Sequence, residues 1–287
     1  MCPGTEDYID LARTMPVVRA KVTTADGGNL GNDAQVGVVN NLLHSLFKQV
    51  DVFLKEKQVT QAAGMYAYRA YIETLLNYGP AAKNSQLTSA LFYKDTAGRM
   101  NSHNPTLADN NANVNLGLKA RYRFNAESKT IEMVGPIFSD IFFSERLLLS
   151  YVDLKVVLNR NSKEFCIMAA ADDTSKLVIT DVYLKIRKVK VNPDITIAHE
   201  LALKKGPAIY PIRRVDCKSF IIPGGNPSLH KDNIFNGLVP KSLIVGMVAS
   251  AAFTIGLAAA VNLVCYAEFE NTIQIDADRN IIYDYTG

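Results

Sequence analysis

The side chains in this 287-residue chain that could do chemistry are four histidines, four cysteines and a cluster of basic residues. His44, His103, His199 and His230 lie far apart and none has the paired spacing by which metal ligands announce themselves, so they read as structural or surface residues. Cys2, Cys166, Cys217 and Cys265 each stand alone, without redox or metal-ligand spacing. Reduced and mostly buried thiols are expected, which favours an intracellular place of synthesis. Ser102 and His103 with the neighbouring Asp109 hold the residue types of a triad, but no nucleophile elbow surrounds them and the segment is an Asn-rich loop. "GGNLG" has neither the spacing nor the lysine of a phosphate loop, and "PGGN" reads as a turn. Neither catalysis nor a cofactor is expected. The basic cluster runs Lys185, Arg187, Lys188 and Lys190, then Lys204, Lys205, Arg213, Arg214 and Lys218. A net charge of +3 is too small to predict a polyanion partner by itself, so a solvated strand and helix face is the preferred account of these residues. Aromatic residues do not interleave with them as in a single-strand binder.

Period-two alternation must position these residues, because it recurs along most of the chain. Val18, Ala20 and Val22 alternate with Arg19, Lys21 and Thr23, while Val50, Val52 and Leu54 form a second face and Val152, Leu154, Val156 and Leu158 a third. Short strands punctuated by Gly, Asn, Asp and Pro mark a sandwich or barrel. In "VYLKIRKVKV" (Val182 to Val191) the apolar parity changes between Ile186 and Val189. A bulge near Arg187 and Lys188 would keep both apolar sets on one face. Helices are few. "AYRAYIETLLNYGP" predicts a stripe of Tyr68, Tyr71, Ile72, Leu75 and Leu76 stopped by Gly79 and Pro80. "NPDITIAHELALKKGP" opens with Asn192 as cap and Pro193 in the first turn, and ends at Gly206 and Pro207. Thr96 to Asn115 is polar and turn-rich, a long surface loop. Tyr66, Tyr68, Tyr71 and Tyr78 are expected to pack over a sheet or at a subunit contact.

With 48% hydrophobic residues the chain can build a sizeable core. Its greasiest piece, Ser242 to Ala267, carries no charge over 26 residues. As a helix it would measure about 39 Å, more than the ~30 Å hydrocarbon core of a bilayer. From Val261 onward, however, Val261, Leu263, Cys265, Ala267, Phe269, Ile273 and Ile275 share one parity while Glu268, Glu270, Thr272 and Gln274 fill the other. Only a strand produces that order. "SLIVGMV" in turn reads as a fully buried strand. A helical span over 242–260 stays open as an alternative. The opening "MCPGTEDYID" lacks the basic and apolar regions of a signal peptide, so secretion by one is not expected.

Several segments together resemble one family. They include "PGTEDYIDLARTMPVVRAKVTTADGGNL", "VGVVNNLLHSLFKQVDVFL", "AYRAYIETLLNYG", "SQLTSALFYKDTAG" and "KLVITDVYLKIRKVKVNPDITIAHELALKKGPAIYPIRRVDCKSFIIPGGN", followed by "DNIFNGLVPKSLIVGMV" and "VCYAEFENTIQIDADRNIIYDYTG". In family order and over most of the chain, these are similar to the major capsid protein of Polinton (Maverick) elements and their adintovirus-like relatives. The resemblance implies a double jelly roll that trimerises into capsomers of an icosahedral shell. Two departures stand out. Relatives carry a further segment before "PGTEDYIDLA", and they continue for a large part of the second jelly roll between "LVPKSLIVGMV" and "VCYAEFEN".

The expected fold class is therefore all-β: a jelly-roll sandwich with one near-complete unit, a partial second and a few short connecting helices. Residues 1–191 would form the first jelly roll, short of an N-terminal strand, 192–206 a helical connector, and 207–287 the partial second with a deletion junction near 250–260. The resemblance implies a capsomer-forming structural protein, a truncated copy, located in a virion or at an intracellular assembly site. It implies a homotrimer and minor capsid or penton-type proteins as partners, with no membrane. Because a capsid lumen faces packaged DNA, it also implies nonspecific phosphate contacts from Lys185, Arg187, Lys188, Lys190, Arg213 and Arg214. A membrane-anchored β protein spanning at 242–260 and a ligand-binding jelly-roll module are the rival readings.

Overall fold

The computed structural model describes residues 1–61, 63–223, 228–235, 239–249 and 261–284. It is mostly β. The strands are β1 (Tyr8–Thr23), β2 (Gly37–Val38), β3 (Phe47–Leu54), β4 (Lys57–Gln58), β5 (Ile131–Val134), β6 (Leu154–Arg160), β7 (Ile167–Met168), β8 (Lys176–Val189), β9 (Ala208–Ile222), β10 (Ser242–Ala249), β11 (Val261–Ile275) and β12 (Ile281–Tyr283). The helices are α1 (Leu42–Ser45), α2 (Tyr66–Asn77), α3 (Pro80–Lys83), α4 (Leu116–Asn125), α5 (Lys163–Cys166) and α6 (Pro193–Leu203).

Strand pairing in the first two thirds is concentric. β1 pairs with β8, β2 with β7 and β3 with β6, all antiparallel, so each pair encloses the next along the chain. Such nesting is a long hairpin rolled up on itself, the connectivity from which a jelly roll is made. β5 and β4 extend the outer and inner pairs through β1 and β3 respectively. In the remainder, β11 is central: β9 runs along one side of it over its full length, while β10 and β12 share the other side. One main core takes Val18, Ala20, Val22, Val50, Val52, Leu54, Val152 and Leu154 from the first part and Tyr210, Ile212, Ile273 and Ile275 from the second.

Alternation therefore identified three strand faces correctly, and the parity change in β8 has a local cause. The β1–β8 register shifts between Asp10 and Met15, next to Arg187, so the surplus residues there lie in β1. A second shift, between Arg19 and Ala20, leaves Thr180 of β8 without a register partner. Leu184, Ile186 and Val189 all pack on the core as the bulge argument requires, but Val182 is exposed.

Two packing expectations need correction. The buried side of α2 is Tyr66, Ala67, Ala70, Glu73 and Thr74, while Leu75 and Leu76 are exposed. Arg69 takes an inward position, where it meets both Glu73 of the same helix and Asp140, and the leucines of the last turn are left outward. β10 is no fully buried strand either: Leu243, Val245 and Met247 face outward, since β10 is the end strand of its sheet among the described residues. The apolar stretch beginning at Ser242 is a pair of antiparallel strands, with Ser242 opposite Glu268 and Ala249 opposite Val261. The proposed junction at 250–260 lies outside the described residues. Residues 242–249 are strand, so no helical span begins at Ser242.

The long loop is present between the 3-10 turn ending at Ala90 and α4. Asn115 closes its base, accepting from the N–H groups of Thr96, Gly117 and Leu118, while Thr96 Oγ1 accepts from the Leu116 N–H at 3.0 Å. Below it Arg121 is wholly buried and donates to Val38 O, Tyr93 O and Asp95 Oδ1, each at 2.9 Å. Burial draws this guanidinium below its usual value, and Asp95 opposes the shift. Arg121→Met leaves three acceptors unmatched, one of them charged. It is expected to lower the unfolding free energy by about 3–5 kcal/mol in a urea titration and to open the 96–115 loop to proteolysis.

His44 is buried in the same core, 3.1 Å from the Tyr66 hydroxyl and edge-on to Phe138. Burial pulls its imidazole down to about 3, so the ring is neutral in the fold. The unfolded chain takes up a proton near 6.5, whereas the buried ring resists to about pH 3, so acidification within that window favours unfolding. Between pH 7 and pH 5 this single group removes about 2 kcal/mol of stability. His44→Gln should reduce the stability difference between those two pH values by that amount in parallel urea titrations; an unchanged difference would exonerate His44.

Candidate functional site

Two kinds of outward-facing group bear on function, basic and apolar. Lys185 and Lys190 are exposed; Lys188 Nζ lies 3.0 Å from Thr5 Oγ1 and Arg187 3.8 Å from Asp10. On β9, alternation separates the two neighbouring arginines. Arg213 points to solvent, 3.8 Å from Glu268, whereas Arg214 is buried with its guanidinium 4.6 Å above the Phe269 ring. From that position Arg214 cannot meet a phosphate, so the sequence-based grouping of six is reduced to five accessible cations.

The apolar surface is more distinctive. Helix α6 begins with Asn192, whose side chain accepts from the Asp194 N–H at 3.1 Å, and with Pro193 in its first turn. Its attachment to the body is largely polar. His199 Nδ1 lies 2.9 Å from the Tyr8 hydroxyl, and Glu200 pairs with Arg279, which also donates to Ser150 O at 2.9 Å. Leu203 is the helix residue that reaches the core. Ile195, Ile197 and Leu201 are 47%, 59% and 56% exposed. A surface helix normally does the reverse, with its apolar stripe inward and charge outward. β10 repeats the theme, with Leu243, Val245 and Met247 at 52%, 55% and 76% exposure. The sequence named the start and end of α6 and the apolar run of β10, but could not say that their apolar side chains would be left uncovered.

The interior also holds a buried ionic cluster that sequence reasoning missed. Arg69 Nε is 2.8 Å from Glu73 Oε1 and its Nη2 is 2.6 Å from Asp140 Oδ1, which also accepts from the Val215 N–H at 3.2 Å. The i,i+4 spacing of Arg69 and Glu73 was the one local signal available. Burial would draw the Arg69 guanidinium down, but Asp140 and Glu73 outweigh it and hold the group above its usual range. Burial raises both carboxyls, and Arg69 offsets part of each shift. Beside Asp140 an open groove of about 640 Å³ is lined by Phe143, Ile212, Arg213, Glu270 and Thr272.

The nucleophiles are quiet. Burial pushes the Cys166 and Cys217 thiols up to about 12, so neither is a thiolate at neutral pH. The histidines are dispersed: His44 in the core, His199 on α6, His230 3.3 Å from Asp232, and His103 in the 96–115 loop with Ser102 and Asp109. Asp109 itself pairs with Lys119 at 2.6 Å. Among the described residues no group of His, Cys, Asp and Glu is placed to hold a metal, and no helix is long and apolar enough to cross a membrane.

Arg69→Met strands two carboxylates in the interior and is expected to cost about 3–5 kcal/mol at neutral pH. Both carboxyls already have raised values, so in the variant they are protonated more readily still. Its deficit against the parent protein should shrink as the pH falls toward 5, read from paired denaturant titrations.

No family model matches the chain. "Uncharacterized protein F54H12.2" of Caenorhabditis elegans is 26% identical over 261 residues, covering 87% of this chain. The chain in turn spans 58% of the length of that curated relative. Among solved structures, the mavirus major capsid protein aligns over 99% of this chain and 85% of its own with 11% identity and a TM-score of 0.41. The PBCV-1 VP54 structure fitted into a reconstruction of the virophage Sputnik aligns over 86% and 49% with 10% identity and a TM-score of 0.37. With TM-scores this low, neither likeness bears on what this chain does.

Proposed function

We propose that this chain is a structural, shell-building protein of the major-capsid type, acting by self-association and not by catalysis. The observation that carries this reading is helix α6: polar residues moor it, Ile197 and Leu201 share one face open to water, and Ile195 is exposed on another side. Leaving such side chains exposed forfeits roughly 25 cal/mol for each Å² of apolar area, a penalty that a neighbouring subunit removes. The concentric pairing of β1 to β8 and the sequence resemblance to Polinton-type capsid proteins support the same reading.

In this reading residues 1–191 are the first jelly roll, 192–206 the connector and 207–287 a partial second. Three copies associate through heterologous contacts around a closed ring, with exposed charges restricting register. Minor capsid or penton-type proteins are further partners, and the working place is a virion or an intracellular assembly site. Lys185, Arg187, Lys188, Lys190 and Arg213 then offer nonspecific, salt-sensitive contacts to packaged DNA.

Analytical ultracentrifugation tests the proposal. At micromolar concentration the expected species has three times the 31.6 kDa chain mass. Ile197→Asp with Leu201→Asp should return it to monomer while leaving the chain folded by circular dichroism, because both side chains are exposed in the single chain. A parent protein that stays monomeric at that concentration overturns the proposal.

A further inference from the structure

We propose that the outer edge of β10 is a self-pairing edge, which accepts the β10 of a second copy laid antiparallel about a two-fold axis at Val245. Every second residue of an end strand turns its backbone N–H and C=O away from the sheet, offering a template for another strand. Proteins usually blunt such edges with charge, proline, bulges or brevity, and the other end strands here follow that rule. β4 and β12 have two and three residues. β5 and β6 carry Glu132, Lys155 and Arg160; β8 carries Lys185, Arg187 and Lys188; and β9 carries Pro211, Arg213 and Lys218.

β10 has none of these devices. Its eight residues, "SLIVGMVA", contain no charge and no proline, and they pair one to one with β11 from Ser242 to Ala249 without a register shift. The strand is thus regular along about 27 Å of edge. Among the described residues nothing pairs with its outer side.

The composition favours an identical strand as the occupant. In an antiparallel pair, residues directly opposite share one face of the sheet. Centring the axis on Val245 sets Val245 against its own copy and Leu243 against Met247. The three exposed apolar side chains of each copy then form one continuous strip. Ile244 falls opposite Gly246, where a small residue leaves room. No like charges meet: Lys241 comes opposite position 249, and its Nζ is already held 2.7 Å from Glu270. A charged peptide would find no counter-ion along this edge. The contact is independent of the α6 surface, so sedimentation of the threefold species and of its Ile197→Asp, Leu201→Asp variant is read in a Val245→Lys background, where this edge is closed.

Val245→Cys in a Cys2→Ser background tests the axis, because the remaining cysteines are buried. Treated with diamide at micromolar concentration, it should give a covalent dimer, since side chains opposite in such a pair stand about 4.5–5.5 Å apart. Val178→Cys on β8, at a residue that is also exposed, reports random collision and should stay monomeric. Val245→Lys should remain folded by circular dichroism and lose the slow exchange expected in the parent for the outward-turned half of the 242–249 amides, while the half bonded to β11 stays slow. Equal linking at 178 and 245, or no dimer at 245, overturns the proposal. So does parent exchange across 242–249 as fast as that of Val245→Lys. These readouts are blind to the trimer contact, whose own test uses Ile197 and Leu201, so the two proposals can fail separately.

Discussion

The ladder between β1 and β8 is the constraint on which the first two thirds of this chain depend. It joins Tyr8–Thr23 to Lys176–Val189, so all that lies between them is a closed loop held inside its own ends. Closing so long a loop costs entropy that grows only with the logarithm of its length. The inner pairs, β2 with β7 and β3 with β6, follow at progressively smaller separations. Concentric pairing leaves the interior to be filled by whichever side chains face inward. It also explains why residues as distant in sequence as Val18, Val52 and Leu154 share one core.

Charge is used inside this fold as well as on it. Arg121 satisfies carbonyl groups from two chain segments and one carboxylate, and Arg69 holds Glu73 and Asp140 while Asp140 reaches the β9 backbone. Buried ion pairs are weak sources of stability, but removing one partner is severe. Their effect here is directional: Arg69 fixes which side of α2 faces inward, and with it which leucines face water. An internal charge thereby shapes the external apolar surface.

That surface links packing to function. On α6 the polar groups His199 and Glu200 are occupied by Tyr8 and Arg279, so the helix is held with its apolar residues outward. On β10 the outward face follows from position at the end of a sheet. The two surfaces arise by different means, side-chain mooring in one and strand order in the other. Each presents apolar area to water.

The sequence alone determined the class of structure and many of its elements. Alternation at Val18–Val22, Val50–Leu54 and Val261–Ile275 named real strands, Asn192 and Pro193 named the start of α6, and the change of period within the uncharged stretch ruled against reading it as one helix. These are local properties, set by which neighbours along the chain share a face. Tertiary structure alone decided which faces are covered. On α2 the stripe was right for Tyr68, Tyr71 and Ile72 and misread for Leu75 and Leu76, because Asp140, 71 positions beyond Arg69, supplies the partner that draws the charged side inward. Arg214 differs from Arg213 because it shares the buried face of the β9–β11 ladder with Phe269, its cross-strand partner. The apolar residues of α6 and β10 look like core until strand order and polar mooring leave them at the surface. Burial is a relation between segments far apart in the chain, and periodicity within one segment carries no information about it.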